Sequence, residues 1–129
     1  MTRINLIQVE ELSDQHLFAE YRELPRMASF ARKTVKKQTD IPVTFTLNAG
    51  HMTFFLDKAE FLEHRHAAIV EEVHLRGINI TPKPPFEMHR RFNQINWEPT
   101  PEEIEVSKER IQQKLDMKPD FYTWKNRKL

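Results

Sequence analysis

Apolar residues spaced by alternating steps of four and three limit this chain more than any other feature. Leu17, Tyr21, Leu24, Ala28, Ala31 and Val35 follow that spacing, which gathers them on one side of a 3.6-residue helix. Ser13 and Asp14 precede the seam as a capping residue and a first-turn acid. Pro25 falls inside it, where a proline costs about 3 kcal/mol. With the seam running on both sides, the pattern predicts a helix that bends at Pro25 and continues. A second seam joins Phe55, Ala59, Leu62, His66, Ile69 and Val73. Its predicted start is Asp57, with Glu60 in capping-box spacing, and its stop is Gly77. A third helix opens at Thr100-Pro101-Glu102-Glu103 and buries Ile104, Ile111 and Leu115, with Pro119 beyond its end.

Between the first two helices, Val43 to Leu47 alternates with period two, and Asn48-Ala49-Gly50 could turn the chain back into Met52 to Phe55. Taken alone, that is a β-hairpin signal. Residues 78–99 hold four of the eight prolines and read as a long irregular connection.

At 129 residues the chain fits one domain, 1–129, and is large enough to bury a core unaided. With 30% charged residues and a mean hydropathy of −0.68, it is expected to be a cytoplasmic protein without a membrane segment. It has no cysteine, which excludes disulfides and thiol catalysis. Two glycines are too few for a glycine-rich phosphate loop.

The net charge of +1 conceals a segregation. From Arg22 to Lys37, six bases (Arg22, Arg26, Arg32, Lys33, Lys36, Lys37) face one acid, Glu23; from Lys108 to Lys128, seven bases face three acids. The second helix carries five acids to three bases. Gln15, Arg22, Arg26, Ser29, Lys33 and Lys36 share one face of the first helix, and Arg110, Lys114 and Lys118 share one face of the third. With Phe121, Tyr122 and Trp124 nearby, these faces have the chemistry of a nucleic-acid surface. A basic helical face is nevertheless more often simply solvated, and a terminal aromatic cluster more often caps a core.

Few residues suggest chemistry. His64 and His66 point to different faces of a helix and cannot chelate one ion, so no metal or other cofactor is expected. Glu23 sits among arginines of opposite charge, an arrangement also typical of an ordinary ion pair. His16 lies two turns earlier, at a first-turn position suited to packing. Loss of Met1 would expose the α-amine of Thr2. Such an amine has a pKa of about 7.7–8.0 and is therefore a far better nucleophile at pH 7 than a lysine.

In order along the chain, T-R-I-N-L (Thr2 to Leu6), D-Q-H-L (Asp14 to Leu17) and A-E-Y-R-E-L-P-R (Ala19 to Arg26) resemble the pyrimidine-dimer DNA glycosylase family, the phage endonuclease V type. The likeness continues through Arg32-Lys33, A-G-H at Ala49 to His51, T-F-F-x-D-K-x-E-F-L from Thr53 to Leu62, Arg110 with Lys114, and Pro119 with Tyr122. It implies a single all-α domain of three main helices with long irregular connections, so residues 43–55 become irregular rather than a hairpin. It further implies glycosidic cleavage at ultraviolet-induced dimers through an imine on the Thr2 amine, with Glu23 as the acid–base residue, followed by β-elimination at the abasic site. Arg3, Gln15, His16, Arg22, Arg26, Lys33, Arg110, Lys114 and Tyr122 match DNA-contacting positions. The expected partner is double-stranded DNA carrying cyclobutane pyrimidine dimers or abasic sites, bound by a monomer. The alternatives are a non-catalytic module that reads distorted duplex and an abasic-site lyase with another lesion preference. Phe121 stands where the family's aromatic tail begins with tryptophan.

Overall fold

A computed structural model describes residues 3–81 and 83–124. Among these there is no strand, and the chain is built from helices joined by irregular segments. The α-helices are α1 (Asp14–Glu23), α2 (Arg26–Lys33), α3 (His51–Phe54), α4 (Ala59–Leu75) and α5 (Pro101–Met117). The all-α expectation holds, and residues 43–55 contain α3 rather than a hairpin.

Proline accounts for the main departure from the sequence reading. The helix does not run through Pro25. α1 ends at Glu23, Leu24 and Pro25 form a turn, and α2 starts afresh at Arg26. Pro25 lacks the N–H that would bond to the preceding turn, and tighter bonds replace that pattern: the Met27 N–H donates to the Leu24 carbonyl at 2.9 Å and the Ala28 N–H to the Pro25 carbonyl at 3.2 Å. α2 then stops at Lys33, so Val35 is 90% exposed and Met27, not Ala28, is fully buried. Lys36 accordingly lies beyond the helical face assigned to it. Arg91 closes the end of α2, its guanidinium donating to the carbonyls of Ala31 and Thr34.

The second helix begins two residues later than expected. Asp57 belongs to a 3₁₀ turn, Phe55–Asp57, and no side chain of the N-cap residue Lys58 caps α4. The cap comes from far along the chain: Gln94 Oε1 accepts from the Ala59 N–H at 2.9 Å. The seam itself is as expected, with all six of its residues buried. Gly77, at φ 72°, ends the helix in the left-handed region. α5 follows its sequence signals closely, with Thr100 and Glu103 forming a reciprocal capping box around Pro101.

α1 packs on α4 over a core that includes Leu12, Leu17, Leu24, Leu62 and Ile69, all fully buried. Beside it, Phe45, Phe54, Phe55, Phe61 and Trp97 meet largely edge-to-face, with centroid separations of 4.7–6.2 Å. Trp97, Met88 and Phe92 tie the long 78–99 connection to this core. The connection is irregular, as the prolines require, yet pinned. Arg90 pairs with Glu63, and the Ile95 N–H donates to the Asp57 carbonyl.

Candidate functional site

The segment from Ile4 to Ile7 runs through the interior with every residue buried. An extended segment there has no helix or sheet to satisfy its backbone, so partners must come from elsewhere. The Ile4 N–H donates to His51 Nε2 on α3 at 2.8 Å, and the Leu6 N–H donates to Ser107 Oγ on α5 at 2.9 Å. The Asn5 amide donates to Glu20 on α1 at 2.8 Å, and Arg65 on α4 donates to the Ile7 carbonyl. Four helices thus fix the path of residues 4–7.

At the outer end of this segment lies a cavity of about 270 Å³. Arg3 and Asn5 line it from the segment, His16, Ala19, Glu20 and Glu23 from α1, and Arg110, Ile111 and Lys114 from α5. Five residues picked out by the sequence reading therefore converge here: Arg3, His16, Glu23, Arg110 and Lys114. Burial lowers the Arg3 pKa, as does neighbouring Arg110, while Glu23 opposes them. The Arg3 guanidinium also donates to the Leu47 carbonyl.

The two carboxylates of the cavity differ. Glu20 has a fully buried side chain and is neutralised by Arg65, with Nε to Oε2 at 2.8 Å and Nη2 to Oε1 at 3.0 Å. Glu23 is only partly buried and shares the cavity wall with three cations.

His16 is held on both sides. Its Nδ1 lies 2.8 Å from Ser13 Oγ, and its ring stacks on Tyr122 with centroids 4.7 Å apart and planes within 9°. Burial lowers its pKa first and nearby Lys114 second, against Glu20. Burial also lowers the pKa of His66, and that of His51. The sign follows from linkage: a histidine held neutral in the fold binds fewer protons than in the unfolded chain. The stabilisation is therefore complete above about pH 6.5 and is lost as pH falls toward the depressed folded values. Thermal unfolding followed between pH 7.5 and 5 is expected to show a steady fall in Tm below about pH 6.5. A flat profile would contradict it.

The remaining sequence-picked residues lie outside the cavity. Gln15 is engaged with the C-terminal segment, its Oε1 accepting from the Thr123 N–H at 3.0 Å. Trp124 donates from its indole to the Glu11 carbonyl, whereas Phe121 stays 53% exposed. Arg22 lies over the Phe18 ring at 5.3 Å, and Arg22, Arg26 and Lys33 are exposed along α1 and α2. Thr2 lies outside the described residues, next to Arg3.

Sequence reasoning missed Glu20, Arg65, Asn5 and His51. A signal existed for Glu20, a carboxylate between Leu17 and Leu24 on the apolar face of α1, and for Arg65, on the buried side of α4. Charged groups at such positions need partners.

A larger cavity, about 510 Å³, lies between residues 6–10, α4 and residues 96–99. Glu10, Glu60 and Glu98 line it with His64 and with Arg65, whose charge is already paired with Glu20, a net acidic lining that disfavours phosphate. The smaller cavity, with Arg3, Arg110 and Lys114 in its wall, suits a polyanion.

The smaller cavity thus sets one partly exposed carboxylate among three cations in an all-α fold. The family model for pyrimidine dimer DNA glycosylases matches residues 1–85, about two-thirds of the chain. The chain belongs to this family, and its substrate is DNA containing pyrimidine dimers. Among the described residues, no helix is long and apolar enough to cross a membrane.

Proposed function

We propose that this chain, acting as a monomeric single domain, excises pyrimidine dimers through an imine on the Thr2 α-amine and then nicks the strand by β-elimination. What supports the reading is the convergence of Glu23 with Arg3, the neighbour of Thr2, in one cation-lined cavity. The neutral amine attacks C1′ of the damaged nucleotide as the C1′–N1 bond breaks and the base departs with the bonding pair. Loss of the amine proton and opening of the sugar ring give the imine. Glu23 offsets the positive charge that builds on the sugar. It then takes a proton from C2′, whose acidity the imine raises, and the electrons left behind expel the C3′ phosphate. Hydrolysis of the imine regenerates the amine. The chemistry calls on no metal or cofactor.

Arg110 and Lys114 on α5, with Arg22, Arg26 and Lys33 along α1 and α2, hold the phosphates on either side of the lesion. Tyr122 and His16 form a flat aromatic wall beside the cavity. The break at Pro25 places Arg22 on α1 and Arg26 and Lys33 on α2, all three exposed.

Borohydride reduction on duplexes containing a dimer or an abasic site tests the reading. Native protein is expected to yield a covalent adduct on both, and protein with Met1 retained or its N-terminus acetylated is expected to yield none. Adducts that survive the block would assign the nucleophile elsewhere. Absence of adduct from native protein on both duplexes would leave a module that binds distorted DNA without chemistry.

A further inference from the structure

From the contacts of the buried N-terminal segment we infer that His51 is a positioning residue for the reaction, setting the reach of the N-terminal amine through its hydrogen bond to Ile4. The inference rests on the imine reading above.

His51 is 1% exposed and both ring nitrogens are engaged. Nδ1–H donates to the Thr46 carbonyl at 2.8 Å, leaving Nε2 to accept from the Ile4 N–H at 2.8 Å. The ring is therefore neutral and in one tautomer. Phe45 and Phe55 pack edge-on against it at 5.5 and 5.4 Å and fix its plane. Arg3 and Glu20 are the charged groups whose fields reach it, and they act in opposite senses. Gly50, at φ 95°, delivers His51 into the core; a Cβ there would meet Pro42 at 3.4 Å and force a rare backbone conformation.

Ile4 is two residues from Thr2, which makes this the nearest side-chain anchor on the Ile4–Ile7 segment to the reacting amine. The anchors at Leu6 and Ile7 lie further along and control the amine less directly. A nucleophile displaced by about 1 Å loses roughly 100-fold in rate even when binding is intact. His51 itself lines neither cavity, so it acts through Ile4 and not on DNA.

Two variants separate this role from simple core packing. His51→Gln can still present an acceptor to Ile4, whereas the shorter amide of His51→Asn stops short of it. In single-turnover borohydride trapping on an abasic duplex, His51→Asn is expected to lose about 100-fold and His51→Gln to stay within about tenfold of native. Both are expected to bind a tetrahydrofuran-containing duplex within about threefold of the native Kd, since neither touches DNA. Amide exchange should accelerate selectively at Ile4 in His51→Asn, whereas a general packing defect would accelerate it throughout the core. Native trapping rates in His51→Asn, or equal losses in both variants, would overturn the inference. So would a parallel loss of DNA binding. Should the variants fail to fold, ¹⁵N shifts of the native imidazole decide: an unprotonated Nε2 is required, and a proton there refutes the assignment. If native protein traps nothing, the imine reading fails, which these outcomes do not mimic.

Discussion

Glu23→Gln is expected to lower strand nicking at dimer-containing DNA by about 10²- to 10⁴-fold, the range for removing a positioned acid–base group. The two side chains have nearly the same shape, so the partly buried position keeps its packing. Charge is what changes. The cavity retains Arg3, Arg110 and Lys114 but loses the carboxylate that would face a cationic sugar and accept the C2′ proton. DNA affinity should stay level or rise, because an anion has been removed from a surface that meets phosphate. Loss of nicking with retained binding assigns Glu23 to the chemistry. Nicking within about threefold of native would remove Glu23 from the mechanism. Glu20 would not become the next candidate, because Arg65 and Asn5 already occupy its oxygens.

Arg65→Met carries the largest expected loss of stability, about 3–5 kcal/mol, the cost of leaving a buried partner charge uncompensated. The Glu20 side chain is fully buried and that of Arg65 is 8% exposed, so removing the guanidinium leaves a buried carboxylate without its counter-charge. The same substitution frees the Ile7 carbonyl and so loosens the segment leading to Arg3. Urea unfolding of native protein, Arg65→Met and Arg65→Met/Glu20→Met measures the effect. The double variant should recover much of the loss, since a well-packed apolar pair can equal a buried ion pair. A single variant within about 1 kcal/mol of native would show that the pair contributes little.

The features that were readable in the sequence are those a few neighbouring residues decide. Thr100, Pro101 and Glu103 specify the start of α5 by local bonding, and Gly77 specifies the end of α4 by its freedom at positive φ. The spacing of Leu62, Ile69 and Val73 marks the buried side of α4 whatever packs against it. Where the reading failed, a distant group had decided the outcome. α4 starts at Ala59 rather than Asp57 because Gln94, from the long connection, supplies the cap. The end of α2 at Lys33 is held by Arg91. The break at Pro25 was a contest between proline and an apolar seam, and burial of Met27 in place of Ala28 let proline prevail.

The site divides along the same line. By itself the sequence determined the family, through the strings around Thr2 and from Ala19 to Arg26. It also determined the separation of basic from acidic stretches, which a net charge of +1 hides. Tertiary structure alone decided which cations serve Glu23. Its sequence neighbours Arg22 and Arg26 are exposed outside the cavity, while Arg3, Arg110 and Lys114, remote in the chain, line it with Glu23. It also decided that Glu20 is neutralised and that His51 reaches Ile4. Periodicity and caps act within a turn of backbone, whereas electrostatic and hydrogen-bond partners are set by which segments the core brings together.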